Sequence, residues 1–167
     1  MADRLSPEMP PPADCRTRQL VVAEALTWIG TPYRHQASRK HVGCDCLGLV
    51  RGIWQALYGY PLADPGPYAP DWVDVGGTER LLVGARRYFK EIPRLEASAA
   101  GDLLLFRWRP HLPARHLGIL AGPTSFIHAY EGAGRVVRSP LVPQWRQRIA
   151  AIFAFPEPAK RAPGRHS

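Results

Sequence analysis

Apolar positions after residue 45 fall at Cys46, Leu49, Val50, Ile53 and Leu57, offsets of 0, 3, 4, 7 and 11, which trace one face of a 3.6-residue period. The spacing predicts a helix over 46–58 whose buried stripe starts at Cys46. An earlier helix is predicted over 16–29, where Val21, Val22, Ala25, Trp28 and Ile29 recur at helical spacing before Gly30-Thr31-Pro32. Thr78 is placed to cap a third, with Leu81, Leu82, Ala85, Tyr88 and Phe89 inward and Pro93 beyond its end. Residues 60–77 hold Pro61, Pro65, Pro67 and Pro70 and are expected to form a long surface loop, a lid or wall. From Gly101 the period becomes that of strands, over 102–107, 116–120, 125–130, 135–139 and 149–155. Helices first and an antiparallel sheet of about five strands second predict an α+β fold with the N-terminal helices packed on the sheet.

At 167 residues, 46% of them hydrophobic, the chain suits one domain with a substantial core. We expect that domain over 16–156, an extended Pro-rich segment over 1–15 and a basic flexible tail over 157–167. Lys and Arg number 22 against 14 for Asp and Glu, a net charge of +8, which favours anionic partners. The charges are scattered and form no basic stripe interleaved with aromatics, so nucleic acid is not the expected partner; an anionic polymer such as cell wall fits better. The first residues carry Asp3 and four early prolines instead of an apolar stretch, so they do not read as a secretory signal. No run suggests membrane insertion. The expectation is synthesis in a reducing cytoplasm and carriage outward by something else.

The chemistry-bearing residues lie on the predicted elements. A cysteine in the first turn of a helix meets unpaired N–H groups and the positive end of the dipole, and an adjacent imidazolium would lower its pKa further. Cys46 has that placement, with Gly48 leaving room for a close approach, and is therefore expected to alkylate before Cys15 or Cys44. His116 and His128 flank the short connection Ala121-Gly122-Pro123-Thr124. If residue 120 pairs with 124, His116 faces His128 directly, and both rings emerge on one side of the sheet. If that side packs on the Cys46 stripe, a nucleophile, a base and a group that orients the base are aligned. The bland alternative is a core cysteine and two strand histidines. Cys44 and Cys46 with His41, His116 or His128 also suggest a zinc site, but the cysteine spacing is wrong for one and no second pair exists, so no metal or cofactor is expected. Cys44 is expected to fill core. His35 and His41 suit either a substrate rim or solvent; Trp72 and Trp108 suit either sugar stacking or core wedges.

Several ordered blocks resemble the NlpC-type cell-wall cysteine peptidases, a family with a permuted papain-like fold: 28–33 (WIGTPY), 43–50 (GCDCLGLV), 101–106 (GDLLLF), 116–120 (HLGIL) and 126–129 (FIHA). The resemblance implies that Cys46 attacks an amide of a peptidoglycan stem peptide, typically that between γ-D-glutamate and the following diamino acid. It implies His116 as base and then acid, His128 as the residue that orients it, Tyr33 at the oxyanion, and Asp45 receiving a free amino group of the stem peptide. Leu47 departs from the small residue usual after the cysteine, and Cys44 from the aromatic usual two before it. The Leu47 variant, with the runs 33–37 (YRHQA) and 49–54 (LVRGIW), is most similar to the peptidases of gene transfer agents and tailed phages. That implies tail-tip or baseplate proteins as partners, and action in the periplasm from a virion-like particle. A catalytically idle tail adaptor and a thiol amidase or acyltransferase are the rival readings, since a fold does not settle a substrate.

Overall fold

The computed structural model describes residues 14–63 and 79–158. Elements run α1 (Asp14–Thr27), β1 (Ser38–Arg39), β2 (Gly43–Cys44), α2 (Cys46–Tyr58), α3 (Arg80–Tyr88), β3 (Lys90–Ile92), β4 (Leu103–Phe106), β5 (His116–Gly122), β6 (Ser125–Tyr130), β7 (Arg135–Pro140), the single turn α4 (Pro143–Arg146) and β8 (Ile149–Ala154). The order is the predicted α+β arrangement. Within it, α1 begins two residues before the expected boundary, and Ile29, expected inward, is 41% exposed. The buried stripe of α1 is instead Thr17, Val21, Ala25 and Trp28, a regular 3.6-residue period. The expected cap Thr78 and most of the proline-rich loop lie outside the described residues; α3 starts after Glu79, whose side chain makes no capping bond.

The main sheet is antiparallel, in the order β3-β8-β4-β5-β6-β7. Its sixth strand, β3, is short and was not anticipated: Lys90–Ile92 follows α3 directly and pairs with β8 at the edge. The two faces of the sheet carry two cores. Leu103, Leu105, Leu117, Ile119, Ile127, Ala129 and Phe153 face the helices and pack with Leu49, Val50 and Ile53 of α2. The alternate positions Leu104, Phe106, Leu120, Phe126 and Ile152 face away and form a second cluster closed by Leu141 and Trp145. That alternation is the two-residue period of a strand buried on both sides.

One pair ties α1 to this sheet. Asp102 is wholly buried and accepts from Arg18 Nε at 2.9 Å and Nη2 at 3.1 Å, and from the Ala99 N–H at 2.8 Å.

The register of β5 and β6 differs from expectation by two residues. Ile119 pairs with Ile127 and Leu120 with Phe126, with an irregularity between Leu120 and Gly122, so the connection is tighter than the four-residue one assumed. Extended along the strands, this register sets His116 opposite Tyr130 and His128 opposite Gly118. A slip of two keeps every side chain on its face, whereas a slip of one would have reversed them. The histidines are thus diagonal neighbours, and the rings bridge the wider diagonal gap.

Candidate active site

Cys46 is positioned by the turn that precedes it. Asp45 is the N-cap of α2: its Oδ1 accepts from the Gly48 N–H at 2.7 Å, closing the first turn. Its Oδ2 accepts from the Gln36 N–H, also at 2.7 Å. Gln36 holds φ of +61°, a strained conformation for a side-chain-bearing residue, and the bond to Asp45 helps keep it there. Gly48 is required by the same turn, since a Cβ there would stand 1.8 Å from the Ala37 carbonyl oxygen. The room that glycine leaves is therefore taken by the protein's own backbone. Asp45 is 2% exposed and lies 3.7 Å from His35 Nδ1. In this structure its carboxylate holds the helix start together.

The thiol sits in the helix-side core, 6% exposed. Among the described residues its hydrogen-bond partner is the Arg115 carbonyl, at 4.0 Å, and the Leu117 backbone N–H is close enough to favour its charge. It thus meets β5 at the strand's first residues. Burial, and then the Asp45 carboxylate, push its pKa up to about 12. This runs against the lowered pKa expected of a thiol at a helix start: desolvation and an adjacent anion outweigh the Leu117 and Leu47 backbone N–H groups that favour the charged form. Cys44, fully buried, is likewise pushed up to about 12, chiefly by burial. Cys15 is the exposed thiol.

His116 and His128 are 6% and 0% exposed, with His116 Nε2 2.8 Å from His128 Nδ1. Burial holds His116 well below the ordinary imidazole range, helped by His128 and Arg115, and burial lowers His128 to about 3. Both rings are neutral near pH 7. They project into the second core, away from the α2 stripe, so the expected packing of their face on that stripe does not occur. His116 belongs to the strand end that Cys46 touches, while its ring points to the other face among Phe106, Trp108, Tyr130 and Trp145. His128 stacks on Tyr130 at 5.1 Å and lies against Phe126 and Trp145. A second polar contact runs from His128 Nε2 to Ser139 Oγ on β7, at 2.8 Å.

Tyr33 bridges β2 through Cys44 and hydrogen bonds through its N–H to the Gly134 carbonyl. Its phenol is raised above the ordinary range by burial first and then by Cys46 and Asp45, so it remains an O–H donor near the thiol. Trp108 is half-buried, stacked on His116 and flanked by the guanidiniums of Arg115 and Arg148, each 5.1 Å from its ring. Leu47 lines an apolar cavity of about 410 Å³ between α2 and α3, with Val50, Leu81, Tyr88 and Leu117. His41 is exposed at φ +65°, and Trp72 lies outside the described residues. Sequence reasoning missed Trp145 and Ser139, which reach the histidines across strands whose register no local pattern prescribes.

A family model, that of the NlpC/P60 family, matches residues 30–153, from the glycine after α1 into the last strand. The chain belongs to the NlpC/P60 family. Among curated proteins, this NlpC/P60 chain is 29% identical over 128 residues to the murein DD-endopeptidase MepS/murein LD-carboxypeptidase of Escherichia coli K12, a stretch covering 77% of this chain and 57% of that protein. It therefore spans little more than half the length of that relative. Among solved structures, the NlpC/p60 domain of the peptidoglycan hydrolase SagA is 25% identical with a TM-score of 0.55, the match covering 83% of this chain and 97% of that one. An NLP/P60-family lipoprotein-like protein of Staphylococcus aureus Mu50 has a TM-score of 0.59 at 22% identity, over 90% of this chain and 45% of that one. The Mycobacterium tuberculosis peptidoglycan hydrolase RipB has a TM-score of 0.54 at 20% identity, over 90% and 70%. The last two likenesses bear on fold alone, and that fold is the papain-like α+β arrangement of NlpC/P60 domains.

Proposed function

We propose that this chain is a cysteine peptidase that hydrolyses peptidoglycan stem peptides, with residues 16–156 as its catalytic unit. The observation that carries the reading is a buried His116–His128 pair 2.8 Å apart, which links β6 to β5, the strand beside whose first residue the Cys46 thiol sits. With a protonated thiol and a neutral imidazole at rest, His116 acts as a base at the moment of attack. Because His116 is the first residue of β5, the thiol leaves the Arg115 carbonyl, rounds the strand end to within roughly 3 Å of His116 Nδ1 and transfers its proton as sulfur attacks the amide carbon. The Cys46 backbone N–H, without an intrahelical acceptor, and the Tyr33 hydroxyl face the oxyanion. His116 then protonates the departing amine, leaving a thioester that water hydrolyses with His116 again as base.

The bond we favour is that between γ-D-glutamate and the diamino acid, with Asp45 near the peptide's amino end. We also propose delivery to the periplasm by a phage-like tail whose tip or baseplate holds the protein. The support for this is the likeness of residues 33–37 and 49–54 to tail-borne peptidases. Digestion of purified peptidoglycan, followed by mass spectrometry, tests the activity. Wild type should release shortened peptides and Cys46→Ala none. Intact substrate with folded wild type would favour the idle adaptor, and an active Cys46→Ala would remove Cys46 as nucleophile.

A further inference from the structure

The polar chain does not end at His128. Its Nε2 meets Ser139 Oγ at 2.8 Å, while the rest of the ring is packed by Phe126, Tyr130 and Trp145. Both links are diagonal: Ser139 pairs with Phe126, two residues from His128, just as Tyr130 stands two residues from it on the other side. Gly118 makes room beneath, since a Cβ there would stand 2.9 Å from the Phe126 ring.

Proton counting along this chain allows two states. If His128 donates from Nε2 to Ser139, its Nδ1 is a bare acceptor. His116 must then carry its proton on Nε2, and its Nδ1 keeps the lone pair a base needs. If Ser139 donates instead, His128 carries its proton on Nδ1 and donates to His116 Nε2. The His116 proton then sits on Nδ1, and the ring cannot accept one from the thiol. Ser139 is half-buried, so its own hydrogen can turn to solvent and leave its lone pair toward His128. His128 is wholly buried, and an imidazole N–H at that position has no solvent to turn to.

We infer that Ser139 is a positioning residue that, by accepting from His128 Nε2, sets the tautomers of both histidines and leaves His116 Nδ1 free to act as base. The kinetic consequence rests on the peptidase reading; the tautomers do not. Histidine ring nitrogens of ¹⁵N-histidine-labelled full-length protein report the proton positions by long-range ¹H–¹⁵N NMR. Wild type should show both His116 and His128 as neutral Nε2–H forms. Ser139→Val, which fills the space and admits no water, should shift His128 toward the Nδ1–H form. Ser139→Thr should restore the wild-type pattern. On a stem-peptide substrate, Ser139→Val should lower kcat about fivefold or more at nearly unchanged KM, the worth of one hydrogen bond, and Ser139→Thr should recover it. A wild-type His128 protonated on Nδ1, or a Ser139→Val protein with unchanged tautomers, overturns the inference. Wild type with the expected tautomers but no peptide cleavage leaves the inference standing and removes the peptidase reading.

Discussion

Asp45→Asn should make Cys46 more reactive while loosening the helix it heads. The wild-type carboxylate stands beside a buried thiol whose pKa it helps raise to about 12. Two unit charges roughly 4 Å apart interact by about 1 kcal/mol in a water-like medium and about 4 kcal/mol at an effective dielectric of 20. Even the lower figure is about a fivefold change in thiolate fraction, and the thiolate is the alkylating species. Asparagine still offers an oxygen to the Gly48 N–H but loses the charge-assisted bond to Gln36, at a cost of about 1–2 kcal/mol. The assay is iodoacetamide labelling at pH 8 in a Cys15→Ser background, which removes the exposed thiol, with the Cys46 peptide followed by mass spectrometry. Arg18→Ala is the control for simple opening: it abolishes the pair with Asp102, at a different site and at a larger cost in stability. The reasoning is refuted if Cys46 labels no faster in Asp45→Asn, or if Arg18→Ala accelerates it as much.

Three further outcomes are expected. Between pH 3 and 6.5 the unfolded chain binds a proton on His128 that the folded chain does not, and His116 is shifted in the same direction. Stability should therefore rise with pH across that window, by up to about 1.4 kcal/mol per pH unit for each histidine. Above pH 9 the sign reverses, because folded Cys44 and Cys46 keep protons that unfolded cysteines lose. Urea midpoints from pH 4 to 10.5 should peak between roughly 7 and 9, and a protein more stable at pH 5 than at 7.5 would contradict this. Gly48→Ala should cost about 3 kcal/mol, since its methyl meets the Ala37 carbonyl oxygen at 1.8 Å; an unchanged thermal melt would refute the packing claim. Asp102→Ala removes the carboxylate that meets Arg18 and the Ala99 N–H. It should cost about 3–5 kcal/mol in urea unfolding.

Much of the fold was legible because its elements are locally periodic. The α2 stripe from Cys46 was readable from spacing, and the observed bounds, Cys46–Tyr58, are those the spacing predicts. Ile29 was misplaced because a run of apolar residues does not show where a helix turns its last face. Strand β3 was missed because Lys90–Ile92 has two exposed residues of three, and it is held by pairing with β8 instead of by its own pattern. The histidines shared a face as expected for a reason stronger than the register assumed for them, since an error of two leaves the face unchanged.

The sequence by itself determined which side chains share a stripe or a strand face, because helix and strand periods are local consequences of backbone geometry. The cap on α2 is equally local, since Asp45 and Gly48 are three residues apart and meet within one turn, although both residues were expected to serve the substrate instead. Only the tertiary structure decided the electrostatics of the site. Whether Cys46 carries a lowered or a raised pKa depends on how much protein covers it and on an anion whose orientation is set by Gln36, nine residues earlier. Which face of the sheet receives the imidazoles, and that Ser139 ends their hydrogen-bonded chain, follow from pairings among β5, β6 and β7. Desolvation and cross-strand register are properties of the assembled fold, and no spacing along the chain encodes them.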